Sequence, residues 1–168
     1  MRILGIDPGY GITGFGLVEA QRGQTRLLHC GAITTPAGMD FPARLEIIYE
    51  DMRKLLELAK PQEVAIEELF FGQNVTTGIG VAQSRGVILL AVQQAGLPVR
   101  AYKPMQVKQA VVGYGGATKH QVMDMTRRIL GLSQMPKPDD AADAIAIALC
   151  HARSSTSLLR QQGAKGGF

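Results

Sequence analysis

The sequence GIDPGYGITGFG, residues 5–16, lies almost at the start of the chain and joins two apolar segments through a Pro-Gly turn. The preceding residues predict a short buried strand that ends at Asp7, and TGFGLVEA predicts a second strand. A carboxylate at the end of a buried strand is costly unless something pairs with it. We therefore expect Asp7 to have a partner, which is a cation, a phosphate-bound metal or the amides of the turn.

The rest of the pattern predicts an α/β fold built on a mixed sheet of five strands. A third strand, TRLLHCGAITT, follows the first two through a short link, so these three strands form an antiparallel meander. Helices then alternate with strands, and the two later strands, EVAIEELF and PVRAYK, are expected to lie parallel in the sheet. This order of elements predicts helices on both faces of the sheet.

Length and composition favour one soluble domain. The chain has 168 residues, of which 46% are hydrophobic and 19% are charged. We expect a single domain over residues 1–152 and a flexible tail over residues 153–168. No unbroken apolar span has membrane length, and the first residues leave no room for a signal peptide. We therefore expect a cytoplasmic protein without a membrane partner.

Positive charge is concentrated in one segment. The net charge is +4, and the residues from Arg100 to Arg128 include six basic side chains and Asp124 as their one acid. Such a segment fits a polyanionic partner, although a solvated helix face would have the same composition. Cys30 and Cys150 each follow or precede a histidine, but no closely spaced ligand pair is present. Buried free thiols are therefore favoured over a zinc site.

Several acidic residues are predicted to meet at one edge of the sheet. Asp7 ends the first strand, and Glu67 and Glu68 lie near the end of the fourth, so these ends meet if the two strands are neighbours. Asp140 and Asp143 are three residues apart and share one face of the last helix. An acidic first helical turn explains Asp140 without any ligand, but Asp143 lies beyond that turn.

Converging carboxylates are what hard divalent cations require, because Mg²⁺ prefers oxygen ligands. Two such ions about 4 Å apart can hydrolyse a phosphodiester. A competing hypothesis comes from the glycine-rich turn, since actin-like sugar kinases begin with a similar strand, aspartate and glycine turn. Those kinases need a second lobe that holds adenosine, and 168 residues leave no room for it.

Five segments of the chain, in order from residue 3 to about residue 152, resemble the RuvC family of Holliday-junction resolvases. They are GIDPGYGITGFG, AIEELFFGQN, AQSRGV, MQVKQAVVGYGGATK and DDAADAIAIALCHA. The resemblance implies a ribonuclease H-like fold, a homodimer and hydrolysis that depends on two Mg²⁺ or Mn²⁺ ions. It also implies paired symmetric nicks in four-way junction DNA, during recombination and repair, and cooperation with the RuvA–RuvB branch-migration motor.

The resemblance also implies roles for individual residues. The metal ligands it implies are Asp7, Glu67, Asp140 and Asp143, although some relatives carry histidine at the position of Asp140. Glu68 and Asp139 do not match, and strand alternation turns Glu68 away from Glu67. The lysines that it implies for catalysis or phosphate binding are Lys108 and Lys119.

The resemblance assigns DNA contacts to a second group of residues. Phe70 matches an aromatic residue that stacks on an unpaired base, and one of Phe70 and Phe71 is expected to pack in the core instead. Arg85 is expected to contact a phosphate or a dimer partner. The helix of residues 76–95 is the candidate dimer surface. A junction-binding module without activity is the alternative function, but such a module has no need of four acidic residues where phosphates approach.

Overall fold

We describe the protein from a computed structural model, in which the backbone of residues 1–69 and 75–165 and the side chains up to residue 155 are described. The strands are β1 (Arg2–Asp7), β2 (Ile12–Gln21), β3 (Gln24–Thr34), β4 (Glu63–Glu67) and β5 (Val99–Tyr102). The helices are α1 (Phe41–Ala59), α2 (Val75–Gln94), α3 (Pro104–Val112), α4 (Lys119–Ile129) and α5 (Asp139–Lys165).

The sheet has the predicted mixed topology. Its strand order is β3-β2-β1-β4-β5, in which β1, β2 and β3 are antiparallel and β4 and β5 run parallel to β1. The prediction of three antiparallel and two parallel strands is therefore confirmed. β1 lies beside β4, so the ends of these strands, which carry Asp7 and Glu67, are at the same edge of the sheet.

The two faces of the sheet carry separate hydrophobic cores. On one face, Leu4 and Ile6 of β1 pack with the apolar sides of α1 and α2. On the other face, Ile3 and Ala65 pack with α3, α4 and α5. Side chains alternate along a strand, so the odd-numbered residues of β1 and β4 point towards α5. This alternation turns both Asp7 and Glu67 towards the start of α5.

Three glycines allow α5 to approach the sheet unusually closely. A Cβ atom added to Gly5 would lie 2.0 Å from the carbonyl oxygen of Ala144, and one added to Gly14 would lie 2.0 Å from that of Asp140. A Cβ atom added to Gly16 would lie 2.6 Å from the Ile145 side chain. Real Cβ atoms do not tolerate such distances, so the glycines in residues 5–16 determine how near α5 lies to β1 and β2.

Helix α5 is longer than the sequence predicts. The expected helix ends near residue 152, whereas the backbone remains helical to Lys165. Residues 153–165 are therefore helical rather than irregular, which is consistent with the absence of proline from this segment. The division into a domain of residues 1–152 and a flexible tail of residues 153–168 stays a prediction.

Helix α2 has 20 residues and is largely apolar, so on length and composition it is a candidate for crossing a membrane. A core helix passes the same test, and Ser84, Ile88 and Val92 of α2 are buried in the protein. Arg85 also lies in the middle of the helix. This one helix is weak support for a membrane span.

Candidate active site

The structure brings the predicted carboxylates together where β1, β4 and α5 meet. Asp7, Glu67 and Asp143 line one pocket of about 190 Å³, which also contains Lys108 and Lys119. Asp140 lies one helical turn before Asp143 and is close enough to Asp7 to act on its ionisation. The four acidic residues singled out from the sequence therefore occupy one region of the molecule.

Two neighbouring acids stay outside this cluster. Glu68 follows β4, and its backbone amide donates a hydrogen bond to the Tyr102 carbonyl at 2.8 Å. Asp139 is the first residue of α5 and is exposed. Neither residue lines the pocket that contains Asp7. The expectation that strand alternation and helix geometry separate these two acids from the site agrees with this placement.

The carboxylates strongly disfavour one another's charge. Burial raises the pKa of Asp7 to about 8, and the negative charges of Glu67, Asp143 and Asp140 act in the same direction. Burial, together with the charge of Asp143, also raises the pKa of Glu67, while a hydrogen bond with Asp7 opposes this shift. The protonated carboxyl of Asp7 therefore donates to Glu67. In a protein without a bound cation, Asp7 keeps its proton at neutral pH.

Lys119 supplies positive charge to the cluster. Its Nζ atom lies 2.9 Å from Oδ2 of Asp143, and this ion pair is partly exposed. The hydrogen bond to Asp143 raises the pKa of Lys119, so the lysine is fully charged. Lys108 projects from α3 into the same pocket and forms no ion pair with a described residue. Two ammonium groups are thus available beside the carboxylates.

The donor set fits a divalent metal. Among the side chains that the structure describes, no three acidic, histidine or cysteine groups are placed so that they enclose one ion. Asp7 is instead paired with Glu67, and Asp143 with Lys119. Carboxylate oxygens are the ligands that hard divalent ions prefer, and a cation would relieve the repulsion that raises the pKa of Asp7. The residues therefore match the metal chemistry expected from the sequence.

The turn after Asp7 satisfies its own polar groups. Its Gly9 carbonyl accepts hydrogen bonds from the hydroxyls of Thr13, at 2.6 Å, and Ser84, at 2.9 Å. Both hydroxyl-bearing residues are fully buried. The turn is thereby tied to β2 and α2, which holds the end of β1 in place. Of the partners considered for Asp7, a cation fits the surrounding carboxylates best.

Arg85 contacts the site from α2. Its Nε atom donates a hydrogen bond to the Glu67 carbonyl oxygen at 3.0 Å, which ties α2 to the end of β4. The expected contact of Arg85 with a phosphate or a dimer partner stays a prediction. Phe70 and Phe71 lie outside the described residues, so their expected roles in stacking and packing also stay predictions.

Sequence reasoning missed two groups of interacting side chains. The first is at the turn after β1, where the guanidinium of Arg44 stacks on the Tyr10 ring and its Nε atom donates a hydrogen bond to the Thr35 hydroxyl. The one signal of this group in the sequence is the position of Arg44 in the first turn of α1. The helix dipole disfavours positive charge there. The second is a buried histidine, His151, and it has two partners in the sheet.

His151 bridges the first residue of β4 and the last residue of β5. Its Nδ1 atom lies 2.7 Å from the Tyr102 hydroxyl and its Nε2 atom 2.5 Å from Oε2 of Glu63. Cys150 is buried, and burial raises the pKa of its thiol to about 11. Cys30 is half-buried, and neither cysteine forms a disulfide.

The mixed sheet and the acidic cluster at the ends of β1 and β4 define a ribonuclease H-like nuclease. The family described as crossover junction endodeoxyribonuclease RuvC matches residues 3–151. A RuvC protein of Chloroflexus aurantiacus is 56% identical over 160 residues, which cover 95% of this chain and 98% of that protein. The chain therefore belongs to the RuvC family of crossover junction endodeoxyribonucleases, which use divalent metal ions.

Solved structures agree with this assignment. The structure of Thermus thermophilus RuvC has a TM-score of 0.87 and 39% identity, and the match covers 94% of this chain and 96% of that one. The T. thermophilus RuvC in complex with a Holliday junction substrate has a TM-score of 0.85, 37% identity and the same two coverages. This chain is thus an endonuclease of DNA crossover junctions.

Proposed function

We propose that this chain resolves four-way (Holliday) junctions by paired symmetric nicks, with two Mg²⁺ or Mn²⁺ ions per active site. The proposed metal ligands are Asp7, Glu67, Asp140 and Asp143. The observation that carries the proposal is Asp7 itself: it is buried beside three other acids, and its pKa is about 8. Such a cluster weakens the folded protein unless a cation is bound in it.

Bound divalent ions would activate a water molecule and stabilise the leaving oxygen of a phosphodiester. The chain's own residues prepare the site for this chemistry. Asp7 and Glu67 lie at adjacent strand ends and present oxygens from the rigid sheet. Arg85 fixes the Glu67 carbonyl and so limits movement of that strand end. Asp140 and Asp143 add oxygens from α5, which the three glycines hold close to the sheet.

The two lysines are proposed to act on the substrate phosphate. Lys119 pairs with Asp143 in the metal-free protein, so a bound cation would compete for that carboxylate and release the ammonium group. Lys108 lies in the same pocket without an ion-pair partner among the described residues. Both groups can then stabilise negative charge on the scissile phosphate and its neighbours.

Paired nicks require two active sites, and we assign the second one to a second copy of the chain. The proposed dimer surface is α2, on which Val75, Ile79 and Leu90 are each more than half exposed. A Cβ atom added to Gly86 would meet no described neighbour within 4 Å, so no described residue covers this part of α2. Two-fold symmetry would direct the two sites at opposite strands of the junction.

The remaining proposed contacts follow from the family. Phe70 or Phe71 would stack on an unpaired base, which is worth about 1–3 kcal/mol per base. Arg85 would bind a phosphate with the donors that the Glu67 carbonyl does not use. The RuvA–RuvB branch-migration motor is the proposed protein partner, and the cytoplasm, where bacterial DNA lies, is the proposed location.

Cleavage of a mobile synthetic four-way junction tests the proposal. Wild type is compared with Asp7→Asn, and with Asp139→Asn as a matched control from outside the cluster. We expect wild type and Asp139→Asn to make symmetric nicks with Mg²⁺ or Mn²⁺, and Asp7→Asn to bind the junction without cutting it. Binding without cutting by all three proteins would favour the inactive junction-binding module. Failure to bind the junction together with binding of ATP would favour the kinase hypothesis.

A further inference from the structure

Arg44 is held rigidly by neutral groups in the first turn of α1. Its Nε atom donates a hydrogen bond to Oγ1 of Thr35 at 2.8 Å. Its guanidinium carbon lies 5.0 Å from the centre of the Tyr10 ring, a distance typical of a cation–π contact. The Tyr10 ring also packs edge-on against Phe41, with ring centres 5.6 Å apart. The side chain of Arg44 therefore has little freedom left to lose on binding a ligand.

The charge of Arg44 has no acidic partner among the described residues. Within the part of the chain that the structure describes, no carboxylate oxygen lies within 4 Å of its guanidinium nitrogens. Arg53, on the same helix, provides the contrast. It also stacks on a tyrosine ring, at 5.9 Å, but it pairs with Glu50 at 4.0 Å and with Glu57 at 3.7 Å.

An arginine has five N–H donors in a planar fork, and the Thr35 contact uses the one on Nε. The donors on its two Nη atoms form no hydrogen bond with any described residue. A fixed, unpaired guanidinium with free donors matches the geometry of a phosphate group. Because the side chain is already ordered, binding an anion there costs little conformational entropy.

The groups that hold Arg44 lie at the edge of the sheet that contains the active site. Tyr10 follows Asp7 by three residues, which span at most about 11 Å of extended chain. Thr35 follows β3, and its amide donates to the Gly11 carbonyl at 3.0 Å while its hydroxyl donates to the Tyr10 carbonyl. A DNA strand carries one phosphate for each 3.4 Å or so of helix axis. Asp7 faces α5 and Arg44 belongs to α1 on the other face, so a DNA strand that presents its scissile phosphate at Asp7 and crosses this edge of the sheet would bring further phosphates towards Arg44.

We propose that Arg44 binds a backbone phosphate of the junction DNA, a few nucleotides from the bond that is cut. Tyr10 and Thr35 act as positioning residues that aim the guanidinium. The contact reads no base, so it strengthens binding of every sequence alike. The proposal rests on the junction-cleaving function, which it extends by a DNA contact on the side of Asp7 formed by the β1–β2 turn.

The test measures junction binding in EDTA, where no cutting occurs, for wild type, Arg44→Gln, Arg44→Lys and the matched control Arg53→Gln. Affinity is measured between about 50 and 200 mM salt, the range over which phosphate contacts show most clearly. We expect Arg44→Gln to bind about tenfold more weakly at low salt, and its slope of log affinity against log salt to be smaller by about 0.9. Arg53→Gln should match wild type in both quantities.

Arg44→Lys separates charge from loop structure. This variant keeps the positive charge but loses the planar guanidinium that stacks on the Tyr10 ring. We therefore expect a few-fold weaker binding, with the same slope of log affinity against log salt as wild type. If Arg44→Gln has the wild-type slope, or if Arg44→Lys has the reduced slope of Arg44→Gln, Arg44 is structural and the proposal is wrong. If wild type does not prefer the four-way junction to linear duplex, the parent function fails and this proposal fails with it.

Discussion

Replacing Asp7 by asparagine should stabilise the metal-free protein at alkaline pH, although the change removes a proposed metal ligand. Burial and the neighbouring acids raise the pKa of Asp7 from its ordinary value of 3.8 to about 8. Between these pH values the folded protein holds a proton on Asp7 that the unfolded chain has lost. The free energy of unfolding therefore falls as pH rises from about 4 to about 8, and asparagine removes this dependence.

The size of the effect follows from the pKa of Asp7. One pKa unit corresponds to about 1.4 kcal/mol. The pKa shift of Asp7 therefore sets an upper limit of about 6 kcal/mol on the increase in the free energy of unfolding from wild type to Asp7→Asn. Part of the shift reflects repulsion from Glu67, whose own pKa stays raised by burial and by Asp143 in the variant. We therefore expect a gain of about 2 kcal/mol at pH 8. For a chain of this length that gain corresponds to a rise in Tm of about 4–8 °C.

The assay is thermal unfolding in EDTA, followed by circular dichroism at pH 4.5 and pH 8. At pH 4.5 the extra stability of Asp7→Asn over wild type should be less than about a third of its value at pH 8. Asp139→Asn, which removes an exposed acid that does not line the pocket, is the control and should show no comparable gain in Tm at pH 8. Millimolar Mg²⁺ at pH 8 should then raise the Tm of wild type far more than that of Asp7→Asn. An Asp7→Asn variant that is no more stable than wild type at pH 8 would refute the reasoning.

Three further substitutions test the packing and charge of the site and the buried histidine of α5. Gly14→Ala places a methyl group 2.0 Å from the Asp140 carbonyl oxygen. It should lower cleavage at least about tenfold and reduce the rise in Tm with Mg²⁺, and unchanged values would contradict the close approach of α5. Lys119→Met should slow single-turnover cleavage about 10²-fold. It should not increase the Mg²⁺ concentration needed for half-maximal rate, because Lys119 competes with the cation for Asp143; a higher requirement would show that the lysine assists metal binding. His151→Leu leaves two hydrogen-bond partners unsatisfied and should cost about 2–4 kcal/mol in urea unfolding; a cost below about 1 kcal/mol would show that solvent replaces the histidine.

Hydrophobic periodicity predicted the elements of this fold because each element buries one face. The alternation along β1 and β4 also places Asp7 and Glu67 on one side of the sheet, and the helical spacing pairs Asp140 with Asp143. These relations are local, so they can be read from consecutive residues. The family resemblance then selected Glu67 over Glu68, and the cores on the two faces of the sheet agree with that choice.

Contacts between distant elements could not be predicted in the same way. The ion pair of Lys119 with Asp143 joins two helices, and the hydrogen bonds of His151 join α5 to two strands. Hydrophobic periodicity indicates which face of an element a residue occupies. The residue that it contacts depends on the register and spacing of elements that lie far apart in the chain. The length of α5 was underestimated for a different reason, because polar residues at 153–165 resemble an irregular tail although none prevents a helix.

The glycines beneath α5 have a consequence for the genetics of this protein. Gly5, Gly14 and Gly16 offer no side chain that could bind metal or DNA, yet α5 reaches its position because their side chains are missing. In a library of all single substitutions, these positions should tolerate replacement as poorly as the carboxylates do. Loss of activity would therefore overestimate the number of residues that take part in the chemistry. A screen that also measures folded protein in each variant would separate the two groups, because substitution of a ligand leaves the amount of folded protein unchanged and substitution of these glycines lowers it.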